Sequence, residues 1–362
     1  MTLPIRPHLR GVIRVRKDSE SRRGCLRLDR NESVLPTPPA LMAEFKNSLT
    51  DELLMSYPEL GVVTTKLARW LGCSAGNIYL AAGSDPAIRS IFEVFIDPGD
   101  AVVMTTPTFQ MFAVYARTFQ ARMIEVPYGA GLQLPIERLI AGVVGSRCKL
   151  AVLANPNSPT GTVFSREEVM AFVEACGHEG AVALVDEAYF HYHNESVVDL
   201  IGRHPHLAVT RTFSKAVGLA GIRFGFVAAH EQMIEALGRV KPTYEISAVS
   251  ARFAEIVLDG MSVVENNMAL VKEGQAFLER RLDELGFSHY PTAANFKLIR
   301  VGSRRRAQEI MRSLKKARIL IGGDFAWPVL SDCIRVGLGN REQMGRFLDA
   351  FAASVAALKD RA

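Results

Sequence analysis

The feature that most restricts this chain is an alternation. Between residues 78 and 228, short apolar runs of β type take turns with segments of helical period. The runs occupy residues 78–82, 101–105, 150–154, 181–185, 207–210 and 224–228. Between them, PAIRSIFEVF sets Ile88, Ile91, Phe92 and Phe95 on one helical face. REEVMAFVEAC does the same with Val169, Phe172, Val173 and Cys176. Strands apolar on both sides and helices with one apolar stripe bury each other in layers. The pattern predicts an α/β fold, a mostly parallel sheet with helices on both sides.

Past residue 242 the texture changes. A long helical stretch is expected over 247–285, then short strands at 296–301, 319–321 and 333–337 alternating with helices. This reads as a smaller α+β lobe joined by the N-terminal segment. The expected division is 1–45 as N-terminal arm and small-domain segment, 46–242 as the large domain and 243–362 as the small C-terminal domain. With 362 residues, 48% of them hydrophobic, the chain can fill one large core and a second, smaller one.

The charge is too weak to name a partner. Net charge is +5, from 43 basic and 38 acidic residues, and carries no argument for nucleic acid. The densest basic stretch is Arg6, Arg10, Arg14, Arg16, Lys17, Arg22 and Arg23. It reads as a solvated arm or as a contact for an acidic partner. The five cysteines are scattered singly with no C-x-x-C spacing, which indicates neither disulfides nor zinc and fits a reducing cytoplasm. His191 and His193 alternate like exposed positions with no third ligand, so no metal is expected. No apolar run is long enough for a membrane span, and MTLPIRPHLR has no signal-peptide core.

Polar clusters fall at the ends of the strand-like runs. They are Gly83-Ser84-Asp85, Thr106-Pro107-Thr108-Phe109, the segment NPNSPTG over 155–161, Asp186-Glu187-Ala188-Tyr189 and Thr212-Phe213-Ser214-Lys215. Ligands of open α/β sheets bind outside the carboxyl ends of the strands, so these clusters point to one crevice.

Each cluster has an ordinary reading and a chemical one. AAGSDPAIRS is a capped turn, with Ser84 or Asp85 as N-cap and Pro86 in the first turn. It is equally a cradle of free N–H groups for a phosphate. The chain has no G-x-x-x-x-G-K-[ST] and no strand-linked G-x-G-x-x-G, so nucleotide signatures are absent. Asp186 ends an apolar run, where a carboxylate needs a cationic or donor partner. Lys215 is a surface lysine unless its neighbours give it work. Thr212, Ser214 and Arg223 suit a bound phosphate, and a nearby cation with partial burial makes Lys215 a usable amine. A lysine for a Schiff base, a carboxylate for a pyridinium nitrogen and a phosphate cup are what pyridoxal phosphate requires. Phe109 is a ring to stack on the pyridine, and Asn157 a donor to its hydroxyl.

On these residues the chain resembles the fold-type I pyridoxal-phosphate aminotransferases, closest to the histidinol-phosphate branch. The likeness covers about residues 26–350. It is carried by RNES (30–33), YPE (57–59), GSDPAI (83–88), PTFQMF (107–112), NPNSPTG (155–161), DEAY (186–189), SKAVGLAGIRFGF (214–226) and IRVGLG (334–339). The resemblance implies that Lys215 forms the Schiff base and shuttles the substrate proton. It makes Asp186 the partner of the pyridine nitrogen, and Tyr189 and Asn157 the contacts of the ring hydroxyl. Gly83, Ser84, Asp85, Thr212, Ser214 and Arg223 would hold the phosphate. Tyr57 would reach the cofactor of a second subunit, which implies a homodimer with shared sites. Arg335 would read an anionic group of the amino donor, and Asn31 would line the substrate pocket.

The chain departs from that pattern at four places. Ser158 stands where many relatives have a second asparagine. Phe109 replaces a tyrosine. Gly322 and Gly323 stand where histidinol-phosphate enzymes tend to carry another phosphate-reading arginine. No tyrosine precedes Tyr57. A single carboxylate or a smaller anionic head is therefore as compatible as histidinol phosphate. Two rival readings remain: a decarboxylase on the same scaffold, and a non-catalytic ligand sensor. The sensor is disfavoured by the retention of Lys215 and Asp186 and by the lack of residues for a DNA-binding domain.

Overall fold

The structure, a computed structural model, describes residues 3–12 and 21–359. Among them are the strands β1 (Leu26–Leu28), β2 (Ile78–Ala81), β3 (Ala101–Thr106), β4 (Arg122–Pro127), β5 (Leu150–Ala154) and β6 (Val182–Asp186). They continue with β7 (Leu207–Thr212), β8 (Gly225–Ala229), β9 (Phe296–Arg300), β10 (Ile319–Gly323) and β11 (Cys333–Gly337). One seven-stranded sheet has the order β2-β8-β7-β6-β5-β3-β4, and a four-stranded sheet has the order β1-β10-β11-β9. Strands β3 to β7 run parallel. β8 runs against both β7 and β2, so β2 points the same way as the parallel set. The carboxyl ends of β2, β3, β5, β6 and β7 and the start of β8 thus share one edge.

The alternating pleat divides each strand between two apolar layers. Leu80, Val103, Leu153, Val185 and Val209 face one side with Leu67, Leu139 and Phe172 from the helices. Tyr79, Met104, Val152 and Leu184 face the other with Ile88, Ile91 and Phe92. The helical face expected over PAIRSIFEVF lies in the helix Ser84–Phe95, and that of REEVMAFVEAC in Arg166–His178. A separate core, with Leu278, Ile299, Ile310, Ile334 and Phe347, fills the smaller lobe. β1 joins this lobe by parallel pairing to β10.

The expected single helix over 247–285 is two, Ala248–Asp259 and Met261–Glu284, broken at Gly260. Glycine is a poor helix former, and the pieces serve different cores. Phe253 and Ile256 belong to the larger core, with Phe253 stacked on Phe45 at 4.0 Å, while Leu278 and Leu282 belong to the smaller. The larger core therefore continues past residue 243, as far as Met268.

Two strands were not expected. β4 is an edge strand with exposed or half-exposed Arg122 and Glu125, and β1 has only three residues; both form because β3 and β10 offer them a ladder. His191 and His193 are not exposed alternating positions. They lie half-buried in the helical turn Phe190–His193, with His191 stacked on Trp70 at 5.7 Å. Arg22 is not a solvated arm residue but pairs with Asp29 at 2.6 Å and Glu32 at 3.0 Å. Arg14, Arg16 and Lys17 lie outside the described residues. Phe325 and Trp327 pack around Leu298, Leu330 and Cys333. Among the described residues no helix is long and apolar enough to cross a membrane.

Candidate active site

The anion cup is built where β2, β7 and β8 meet. Gly83, not Ser84 or Asp85, takes the N-cap position of the helix Ser84–Phe95, with φ +99°; Pro86 lies in the first turn as expected. A β-carbon at Gly83 would stand 2.6 Å from Arg223 Nη2. One at Gly225 would stand 2.6 Å from the Gly83 carbonyl carbon and 2.7 Å from the Ser84 nitrogen. Glycines here let Arg223 and the start of β8 press against the open N–H groups of the helix. Arg223 donates to Ser214 Oγ at 3.2 Å and to the Ala82 carbonyl at 3.1 Å. Thr212 donates to Ser214 Oγ at 2.9 Å. The Asp85 carboxylate accepts from the Tyr115 hydroxyl at 2.7 Å.

Asp186 ends β6 and is buried. Its register partner on β7, Thr210, donates to its Oδ1 at 2.8 Å. Burial pushes this carboxyl up to about 6, against the opposing pull of Thr210, the Ala188 backbone and the Lys215 cation. Lys215 Nζ lies 5.5 Å from the centre of the Tyr189 ring and donates to the Arg30 carbonyl at 3.3 Å. The Tyr189 hydroxyl accepts from Asn31 Nδ2 at 2.7 Å, which leaves its own proton to be donated elsewhere. The five groups Asp186, Thr210, Lys215, Tyr189 and Asn31 thus form one connected set.

Asn157 does not offer the donor expected of it. Its Nδ2 donates to the Pro107 carbonyl at 3.0 Å and to Thr160 Oγ1 at 2.7 Å, while Oδ1 accepts from Thr108 at 2.8 Å. Both N–H groups are engaged in holding the NPNSPTG turn against the end of β3. Phe109 caps the helix Gln110–Thr118, edge-on to Phe112 at 5.7 Å.

On the small-lobe side, Arg335 lies on β11 directly across from Gly322 on β10. It donates through Nη2 to the Asp29 carbonyl at 2.8 Å and lies over the Phe296 ring at 5.4 Å. Its Nε is buried without a partner, and burial lowers its pKa. A β-carbon at Gly322 would come within 3.2 Å of that Nε, so the glycine leaves the guanidinium its room. Asn31 sits in the left-handed region at φ +56°, held by Asn295 Nδ2 on its carbonyl at 2.9 Å. Oδ1 of Asn31 and of Asn295 are both buried without partners.

Tyr57 belongs to none of these clusters. It is 71% exposed and stacks on Tyr244 at 3.9 Å and 10°. Thr210 and Asn295 were not singled out by sequence, and Thr108 was named only as part of a cluster. Thr210 was within reach, since a strand ending in Thr210-Arg211-Thr212 places both threonines on one face. Asn295 carries no local signal.

The chain matches the family model for class I and II aminotransferases over residues 23–351. It is 32% identical to a histidinol-phosphate aminotransferase of Ruminiclostridium cellulolyticum, over 91% of this chain and 92% of that one. It is 34% identical to the enzyme of that name from Roseiflexus castenholzii, over 90% and 88%. The histidinol-phosphate aminotransferase of Sinorhizobium meliloti, solved in complex with pyridoxal-5'-phosphate, superimposes with a TM-score of 0.86 at 24% identity, over 92% and 91%. At that identity the likeness carries the fold.

Proposed function

The chain belongs to the class I and II aminotransferase family, and from that premise we propose that Lys215, Asp186 and the Arg223 cup are its working centre. It is a pyridoxal-phosphate-dependent aminotransferase of the histidinol-phosphate type. The observation that carries the assignment is geometric: Arg223 and Ser214 beside Gly83 form an anion cup, and Lys215 sits with Tyr189 near Asp186, a buried carboxylate at the end of β6. Such a carboxylate is stabilised by a cation seated against it, which a protonated pyridine nitrogen is.

The residues fit the cofactor. Arg223, Ser214, Thr212 and the N–H groups at Ser84 and Asp85 hold its phosphate, where dipole and charge act together. The bound cofactor supplies an aldehyde and an electron-withdrawing ring. Asp186 would pair with the ring nitrogen and favour its protonated form. Lys215 Nζ would be the amine that holds the aldehyde and, when free, the base for the substrate proton. The Tyr189 hydroxyl, oriented by Asn31, would donate to the ring oxygen. Asn157 shapes the turn beside it, and Phe109 offers its ring as a stacking face.

Arg335 reads an anionic group on the amino donor, and Asn31 lines the same space. We take histidinol phosphate as the first donor to try, because relatives at 32% and 34% identity carry that name. Tyr57 completes the phosphate site of a second copy. Supporting a homodimer, Leu54, Met55, Tyr57 and Tyr244 are 65%, 84%, 71% and 53% exposed and gather on one stretch of surface. We take the cofactor and small lobes to divide within the helix Met261–Glu284. Five free thiols favour a reducing, cytoplasmic setting.

The test is a half-reaction screen. Amino donors, histidinol phosphate among them, should convert bound cofactor to its amine form without release of CO2. Release of CO2 with the cofactor unchanged would make the enzyme a decarboxylase.

A further inference from the structure

Strands β6 and β7 end in two polar pairs set back to back. Asp186 and Thr210 share one face of the sheet. One residue further on, Glu187 and Arg211 meet on the opposite face, as the period-two alternation of strands requires. Both are buried, at 3% and 5% exposure.

The second pair is held by several partners. Arg211 donates to Glu187 Oε2 from Nε at 2.9 Å and lies 2.8 Å from it through Nη2. Nη2 also reaches Ser196 Oγ at 2.8 Å, and that hydroxyl is within 2.8 Å of both Glu187 oxygens. The Val197 backbone N–H donates to Glu187 Oε1 at 3.1 Å. The guanidinium carbon lies 3.6 Å from the centre of the Phe190 ring and 5.4 Å from that of Trp70. His191, packed beside it against Trp70 and Phe190, is held neutral by burial and by Arg211, down to about 4.

A buried ion pair gives no stability that well-packed apolar side chains could not give. What it does give is direction, because a planar guanidinium fixes its partners in a plane. Here those partners matter. Glu187 follows Asp186, and Arg211 lies between Thr210 and Thr212. The loop that Glu187 closes onto Ser196 and Val197 carries Tyr189.

We propose that Glu187 and Arg211 are positioning residues for the cofactor. From behind the sheet, their pair holds the Asp186 carboxylate, the Tyr189 hydroxyl and the Thr210 and Thr212 hydroxyls in register. The inference rests on the roles given above to Asp186 and Tyr189.

Removing one charge strands the other, so the informative variant is the double substitution Glu187→Gln with Arg211→Met; Ser196→Ala is the milder companion. Three quantities are read: thermal unfolding of the cofactor-free protein, the dissociation constant for pyridoxal phosphate, and visible circular dichroism of the lysine-bound cofactor, which reports ring orientation. The double variant should lose cofactor affinity by about 10- to 100-fold, the range seen when outer partners of metal ligands are removed. Its dichroic band should change in size or sign, and Ser196→Ala should shift both quantities in the same direction by less. Folded variants with wild-type affinity and an unchanged band overturn the inference, as does lower thermal stability alone. Failure of wild-type protein to form a visible band with pyridoxal phosphate overturns the underlying reading instead.

Discussion

Thr210 donates a 2.8 Å hydrogen bond to Asp186 from the neighbouring strand, yet burial still pushes the Asp186 carboxyl up to about 6, above its ordinary 3.8. A carboxyl raised in the folded state contributes stability that is full below its unfolded pKa. That contribution is lost as pH rises through about 6. At neutral pH, cofactor-free protein therefore carries a cost of about 3 kcal/mol at this one group. Asp186→Asn should make cofactor-free protein relatively more stable at pH 7.5 than at pH 4.5, by about 2 kcal/mol, since part of the cost is already present at pH 4.5. Urea unfolding at the two values checks this; a margin independent of pH contradicts it. Cofactor binding should reverse the order, since the asparagine cannot pair with a pyridinium.

The Tyr189 hydroxyl accepts from Asn31, so its proton is directed away from Asn31. Tyr189→Phe should raise the pKa at which the visible band of the lysine-bound cofactor titrates. It should also lower kcat about tenfold, the scale of one hydrogen bond to a charged group. A pH titration of the spectrum reads the first effect directly.

Gly322 and Arg335 face each other across β10 and β11. Arg335→Met should raise KM about 10- to 100-fold for donors with an anionic side group, the range for losing a charge-assisted bond, with a smaller change in kcat. Gly322→Val, which crowds the same guanidinium, should act in the same direction by less. Equal losses with neutral donors would remove Arg335 from substrate recognition.

These positions differ in how far the sequence exposes them. The strand-end clusters were legible because a parallel sheet sends every carboxyl end to one edge, so Gly83, Asp186 and Lys215 could be placed together without coordinates. The reversed β8 was not legible, since an apolar run does not show its direction; its reversal brings Arg223 back beside Gly83. The saturation of Asn157 was not legible, because its partners Pro107, Thr108 and Thr160 become neighbours only in the fold. Glu187 and Arg211 were passed over for a similar reason. Each looks like a polar residue beside a more interesting one until the pleat brings the two together.

The proposal that Tyr57 completes the site of a second copy makes a prediction about mixtures. Lys215→Ala and Tyr57→Ala proteins should each be nearly inactive. Unfolded together and refolded, they should regain part of the wild-type rate, because a mixed dimer holds one site with both residues intact. Sedimentation should give a dimer for each parent. No recovery from a mixture shown to contain mixed dimers would remove Tyr57 from the site.

The central claim is that Lys215 is the amine that holds the cofactor. Protein reconstituted with pyridoxal phosphate is reduced with borohydride, digested, and its peptides are weighed. One pyridoxyl-phosphate adduct is expected, on the peptide containing Lys215, and none in the Lys215→Ala variant. An adduct on another lysine, or a labelled Lys215→Ala protein with a normal visible band, would contradict it.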